Sequence, residues 1–224
     1  MTTLLKLRNI LIALPLCAVP LVMCACVQGP SDTPTLNICG PSQSAPSTGT
    51  AVGLGAYPSA QGGRRLAQSF ITSGPIDSID GINLLLSRVG SPDNTSVTVS
   101  ITKNTGTSTA GYPVSSSPLA TGSLAVNSTS SVISTTPTFY EILVLPKVRL
   151  ETNTIYWIVL TPGYDVNSTD YIAWTASDAA SEVSGRGLFE RVQPNQGWTT
   201  APSSTGTGAK NYAFQLICPE PESP

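Results

Sequence analysis

The sequence contains no histidine, and only 11% of its 224 residues are charged. Without histidine the chain cannot build a Ser-His-Asp triad, a Cys-His pair or a His-ligated zinc site. Eleven Lys and Arg residues against 13 Asp and Glu residues give a net charge of −2, so no basic excess is present to bind DNA or RNA. The sequence therefore predicts a protein that is not an enzyme, needs no cofactor and binds no nucleic acid.

Helical periodicity is also missing, because no 3.6-residue pattern is sustained after residue 30. What the chain has instead is 28 Ser and 27 Thr, about a quarter of all residues, together with 19 Gly and 19 Pro. This composition suits exposed strand faces and turns, and it disfavours long helices. We therefore expect an all-β protein.

The N-terminus has the organisation of an export signal. Lys6 and Arg8 precede an uncharged apolar run over residues 10–27, which contains two prolines. A positive region followed by an apolar region and small residues is typical of a signal peptide, and the prolines disfavour a permanent membrane-spanning helix. Residues 1–25 are therefore predicted to be a signal peptide of the lipoprotein type.

The signal ends in Leu21-Val22-Met23-Cys24-Ala25-Cys26, which resembles a bacterial lipobox. A lipobox places small residues directly before the cysteine that receives lipid. Cys26 has Ala25 at that position, whereas Cys24 has the bulky Met23, so Cys26 is the predicted lipidation site and Cys24 the alternative. Lipidation would make the membrane a partner, anchoring the exported domain to the cell envelope or surface. Cleavage without lipid would instead make the protein extracellular.

Two segments outside the body are too poor in apolar residues to fold by themselves. Residues 26–55 are rich in Pro, Ser, Thr and Gly and are predicted to be a linker, and residues 219–224 are predicted to be a disordered tail. The domain is therefore placed at residues 56–218.

Within this body the hydrophobic period is two. Val97, Val99 and Ile101 alternate with hydroxyl side chains, as in a strand with one solvated face. Residues 154–160 are apolar in both phases, which predicts a central strand, with Trp157 in the core. Nine segments are predicted to be strands: 66–72, 79–89, 96–102, 119–126, 138–145, 154–161, 171–176, 186–192 and 211–217. The spacing predicts an antiparallel two-sheet β-sandwich, jelly-roll-like, with about nine strands.

Several of these segments carry motifs in a characteristic order. They include Gln68-Ser69-Phe70, Leu84-Leu85-Leu86-Ser87-Arg88-Val89-Gly90-Ser91-Pro92, Leu119-Ala120-Thr121-Gly122, Leu150-Glu151-Thr152-Asn153-Thr154-Ile155-Tyr156-Trp157, Tyr171-Ile172-Ala173-Trp174, Gly197-Trp198-Thr199 and Tyr212-Ala213-Phe214. In this order, over residues 56–217, they resemble the choice-of-anchor R domain, a jelly-roll-like β-sandwich of secreted and surface-attached prokaryotic proteins. The resemblance implies a surface module and supplies no catalytic residues. The chain departs from the family's frequent C-terminal attachment signals, so any anchor is expected at the N-terminus.

Cys39 and Cys218 are the two cysteines that remain once the signal is removed and Cys26 is lipidated. One lies just before the domain and the other just after its last strand, and domain termini often lie close together. Export also takes the chain to a compartment where disulfides persist. We therefore predict a disulfide between them, which would hold the first part of the linker on the sandwich; free thiols or an intermolecular bridge are the alternatives.

One loop carries oxygen ligands of the kind that calcium prefers. Asp165, Asn167 and Asp170 lie close together in sequence, but the loop lacks the glycine and the bidentate glutamate of an EF-hand. Asp and Asn side chains also form turns by binding their own backbone. The sequence favours the turn, so the loop is a weak calcium candidate and no metal site is predicted.

Two functions fit these observations. The first is a non-catalytic module of the cell envelope or extracellular surface that displays, spaces or adheres. The alternative is a carbohydrate-binding β-sandwich, in which exposed aromatic rings would stack on sugars of cell-surface or extracellular glycans. The candidate aromatic residues for that role are Trp198, Trp174, Tyr171 and Tyr164.

Overall fold

The computed structural model describes residues 37–43, 50–53, 64–92, 95–106, 111–114, 116–126, 133–163, 170–177, 187–191, 198–200 and 211–220. These ranges contain strands and loops and no helix, and all of them lie in the compact unit Leu36–Pro224. The strands are β1 (Ile38–Gln43), β2 (Thr50–Gly53), β3 (Arg64–Ile71), β4 (Ile76–Val89), β5 (Thr95–Lys103), β6 (Ala120–Val126), β7 (Thr138–Leu150), β8 (Ile155–Pro162), β9 (Tyr171–Ser177), β10 (Gly187–Arg191), β11 (Trp198–Thr200), β12 (Asn211–Tyr212) and β13 (Phe214–Ile217).

All recorded strand pairs are antiparallel, and they form a sheet in the order β1-β13-β4-β7-β6-β5-β8-β3-β10-β11. The long strand β4 also pairs with β9, which in turn pairs with β2 and β12. Strand β7 connects the two parts of the sheet, because it pairs with β4 on one side and with β6 on the other. The first part contains β4 and its neighbours β13, β1, β9, β2 and β12, and the second contains β6, β5, β8, β3, β10 and β11. The sheet is nearly barrel-shaped and consistent with a β-sandwich-like fold, so the predicted all-β fold is confirmed.

The core lies inside this curved sheet and follows from the two-residue alternation of the strands. Val97, Val99 and Ile101 of β5 point inward and are fully buried, as their spacing predicts. Phe70 lies at the centre, with its ring centroid 5.9 Å from that of Tyr156 and 5.6 Å from that of Phe214. These contacts join β3, β8 and β13, so one apolar cluster holds both parts of the sheet together.

Strand β8 is covered on both faces, as the sequence predicts. Tyr156 belongs to the main core, whereas the adjacent Trp157 is fully buried in a second, smaller cluster with Ala67 and Val159. The indole Nε1 of Trp157 donates a hydrogen bond to Oδ1 of Asn104 at 2.9 Å. Because this polar atom is satisfied, the indole is stable in a buried position.

All nine predicted segments correspond to strands, but the structure has additional short ones. Strand β11 was not predicted, and the last segment is interrupted at residue 213. Strands β1 and β2 lie within residues 26–55, which the sequence assigned to the linker. The sheet therefore begins at Ile38 rather than after residue 55, because the strand pairings of β1 and β2 provide the order that their composition lacks.

Candidate functional site

A disulfide closes the described chain at the edge formed by β1 and β13. The Cα atoms of Cys39 and Cys218 are 5.8 Å apart, within the range that a disulfide requires. Both cysteines are partly buried and pack against the core. The bond predicted from the sequence is therefore confirmed, and it links residues 179 positions apart.

Hydrogen bonds hold the two ends of the domain together next to this disulfide. The Asn37 side-chain amide donates to the carbonyl oxygen of Pro219 at 2.7 Å. The Asn37 carbonyl oxygen accepts from the backbone N–H of Cys218 at 3.0 Å. The chain therefore enters and leaves the described domain at the same edge of the sheet.

An apolar strip, made up of Ile38, Leu143 and Leu145, begins at this edge on the outer face of the sheet. Ile38 pairs with Ile217, Ile217 with Gly81, and Gly81 with Leu143, so Ile38 and Leu143 lie in one row that crosses four strands. Ile217 and Gly81, which lie between them, are buried, so Ile38 is set apart from Leu143 and Leu145 on the surface. Directly opposed residues of antiparallel strands share a face. The exposed fractions of Ile38, Leu143 and Leu145 are 47%, 67% and 69%.

Strand β7 has a bulge directly after Leu143. Between the pairs Ile79↔Val148 and Gly81↔Leu143, β7 advances five positions while β4 advances two. The residues between these two pairs, which include Leu145 and Pro146, have no partner in β4, as in other bulges. The alternation of β7 predicts that Leu143 points outward, opposite Ile142, but no sequence pattern showed that this face stays uncovered.

Charged side chains lie next to the apolar strip along β7. Glu141, Lys147 and Arg149 are all exposed. The Lys147 ammonium lies 2.8 Å from a carboxylate oxygen of Asp80, in an ion pair open to solvent. An exposed pair of this kind contributes little to stability.

The four aromatic residues predicted to bind a ligand differ in their surroundings. Trp174 is fully buried, stacks on Tyr212 with centroids 4.7 Å apart, and donates from Nε1 to the carbonyl of Ala213 at 2.8 Å. The prediction is therefore wrong for Trp174, because both its ring and its polar atom are engaged in the core. Tyr171 is partly buried at the start of β9, and Tyr164 lies outside the described residues.

Trp198 is partly buried and packs against the small cluster of Ala67, Trp157 and Val159. The Arg65 guanidinium carbon lies 5.4 Å from the centroid of the Trp198 ring, in a cation–π arrangement. A sugar stacking on Trp198 would therefore have to use the part of the indole that these contacts leave exposed. A role for Trp198 in binding stays a prediction.

A shallow depression lies between the end of β5 and the turn before β8. Its volume is about 250 Å³, and its lining consists of Lys103, Asn104, Gly106, Asn153, Thr154 and Ile155. Tyr112, which is 43% exposed, is held nearby through hydrogen bonds between its backbone and Thr105. The lining of this depression combines an ammonium group with side-chain amide groups.

Of the three calcium candidates, only Asp170 lies in the described part of the chain. Its Oδ1 accepts a hydrogen bond from the backbone N–H of Ser91 at 2.8 Å, which connects two loops. Asp165 and Asn167 lie outside the described ranges, so the calcium site stays a weak prediction. Among the residues with described positions, no group of three or more His, Cys, Asp or Glu side chains could hold a metal ion.

The predicted lipidation site, Cys26, and its alternative, Cys24, precede the first described residue. No helix within the described ranges has the length and apolarity needed to cross a bilayer.

The comparisons with known proteins add no family assignment. No protein-family model matches this chain, and no curated protein matches it significantly. The resemblance to the choice-of-anchor R domain therefore depends on its motifs alone.

Proposed function

We propose that this protein is a non-catalytic module of the cell envelope or extracellular surface, anchored by lipid at Cys26, with a role in display, spacing or adhesion. The observation that carries the proposal is the disulfide between Cys39 and Cys218. Disulfides form and persist in oxidising compartments outside the cytosol. A disulfide-bonded domain that follows a lipobox-like signal supports export and attachment to a surface.

The position of the chain ends supports an anchored module. The chain enters the sheet after Asn37 and leaves it before Pro219 at the same edge, and a hydrogen bond joins these two residues. A domain held from one edge presents its remaining loops and sheet faces to the surroundings. The resemblance to the choice-of-anchor R domain favours the same role, since that family consists of surface modules.

Labelled palmitate tests the anchor in cells that process bacterial lipoproteins. We expect the full-length chain to incorporate palmitate, and we expect Cys26→Ser to abolish the incorporation because it removes the thiol that receives lipid. Cys24→Ser is the matched control and should still be labelled. The measurement is radiolabel or mass shift on the purified protein.

Two outcomes would contradict the assignment of Cys26. Label that persists in Cys26→Ser but disappears in Cys24→Ser would move the site to Cys24. Label that never appears, with the protein found in the medium, would indicate secretion without an anchor.

The depression beside Tyr112 supports an alternative proposal, a carbohydrate-binding module. Lys103 and Asn153 would offer polar groups to sugar hydroxyls, and Tyr112 would offer a ring face. A glycan array probed with the unlipidated Cys26→Ser chain discriminates between the two functions. Specific glycan binding that Tyr112→Ala abolishes would favour the alternative.

A further inference from the structure

We infer that the apolar strip of Ile38, Leu143 and Leu145 is a membrane-contact surface, through which the domain lies on the bilayer that holds its anchor. The inference depends on the proposed lipid anchoring at Cys26. It adds that the domain is not held away from the membrane: the outer face of β7 rests in the headgroup region. The occupant of the strip is therefore an anionic phospholipid surface.

The exposure of the strip is the first argument. Leu143 and Leu145 are exposed by 67% and 69%, more than the other large apolar side chains in the described ranges. Leu143 and Leu145 are two positions apart on the same strand, so they share a face of β7. Clustered apolar residues with polar neighbours mark interaction sites more often than isolated ones do.

The position of the anchor is the second argument. Cys26 precedes Asn37 by only eleven residues, and a chain of that length spans at most about 40 Å. Ile38 belongs to the strip, and Leu143 lies three strand spacings away, about 14 Å. A chain of that length allows the lipid and this surface to contact the same bilayer, and such tethering makes even a weak contact effective.

The charges beside the strip are the third argument. Lys147 is exposed next to Leu145, and its ion pair with Asp80 is open to solvent. A lysine beside apolar residues can place its stem along acyl chains while its ammonium binds phosphate groups. Arg149 adds a second exposed cation on β7, whereas Glu141 and Asp80 oppose the attraction, so apolar insertion supplies most of the contact.

Photochemical labelling from the bilayer tests the contact in the full mature lipoprotein. The lipidated chain is reconstituted in vesicles of equal parts phosphatidylethanolamine and phosphatidylglycerol that contain a phospholipid with a carbene-generating headgroup. After illumination, mass spectrometry locates the attached lipid. We expect at least about tenfold more label on Leu143 and Leu145 than on Tyr112, which is also exposed but lies outside the strip.

Two variants make the result specific. Leu143→Ser/Leu145→Ser should lose the β7 label while the protein still sediments with the vesicles, because the anchor is intact. Tyr112→Ser, the matched control, should leave the label unchanged. Circular dichroism of each variant checks that the fold is retained.

Co-sedimentation separates failure of this inference from failure of the proposed anchor. A chain that sediments with vesicles but carries no β7 label would overturn the membrane contact and leave the anchor standing. A chain that neither acquires lipid nor sediments would overturn both. Concentration-dependent dimers that Leu143→Ser/Leu145→Ser abolishes would instead assign the strip to a second copy of the chain, and would also overturn the inference.

Discussion

Gln68 has a polar side chain that is buried in the core, and it links β3 to β12, two strands that do not pair with each other. Its Oε1 accepts a hydrogen bond from the backbone N–H of Tyr212 at 2.7 Å, and its Nε2 donates to the carbonyl of Ser69 at 2.9 Å. Both the glutamine and the tyrosine are fully buried. The side chain therefore provides the acceptor that the short strand β12 lacks at this position.

Replacing Gln68 with leucine should destabilise the protein by about 1–3 kcal/mol, because the buried N–H of Tyr212 would lose its acceptor. The measurement is the free energy of unfolding in urea. Thr138→Val is the comparison: the Thr138 hydroxyl donates to the carbonyl oxygen of Thr136 at 3.1 Å and both residues are exposed, so we expect a smaller loss. A loss for Gln68→Leu equal to that for Thr138→Val would contradict the role given to Gln68.

At the scale of the strand, the close approach of β6 and β7 depends on Gly122. A Cβ atom at this position would overlap the carbonyl oxygen of Leu143 and would lie 2.9 Å from Cγ2 of Ile142. The two strands share only the pair Thr121↔Leu145. A glycine is therefore needed where the sheet turns from β5 and β6 towards β7 and β4.

Gly122→Ala should destabilise the fold by about 1–3 kcal/mol, because the added methyl group meets backbone atoms that cannot rotate away. Thermal or urea unfolding gives the value. Gly74→Ala is the matched control, since a Cβ there has no atom within 4 Å. An unfolding midpoint for Gly122→Ala equal to that of Gly74→Ala would contradict this account. It would show that β7 moves away from the added methyl group without a loss of stability.

The disulfide between Cys39 and Cys218 restricts the unfolded chain more than it restricts the folded domain. It links residues 179 positions apart, so it removes many extended conformations that the unfolded chain would otherwise adopt. In the folded domain, the pairing of β1 with β13 already brings the two cysteines together. The bond therefore stabilises the domain and keeps β1 on the sheet.

Reduction of the disulfide should lower the free energy of unfolding by about 2–4 kcal/mol. The measurement is urea unfolding of the unlipidated Cys26→Ser chain with and without reductant. Adding Cys39→Ser and Cys218→Ser gives the control, which should be less stable than the oxidised parent and insensitive to reductant. A parent whose unfolding midpoint does not change on reduction would contradict this account.

The strands with one solvated face could be predicted from the sequence alone. In β5, each apolar residue alternates with a hydroxyl residue, and a strand places consecutive side chains on opposite faces. The burial of Trp157 and the pairing of Cys39 with Cys218 were predictable for related reasons: one lies in a doubly apolar run, and the cysteines flank the domain. These features depend on local pattern and on chain order.

Contacts between distant segments decided the rest. Strand β9 has apolar residues in both phases, so only its packing against Tyr212 placed Trp174 in the core. Strands β1 and β2 have a composition typical of linkers, and pairing with β13 and β9 is what orders them. The apolar strip likewise depends on which faces the folded chain covers, and the sequence specifies which way Leu143 points but not what lies above it.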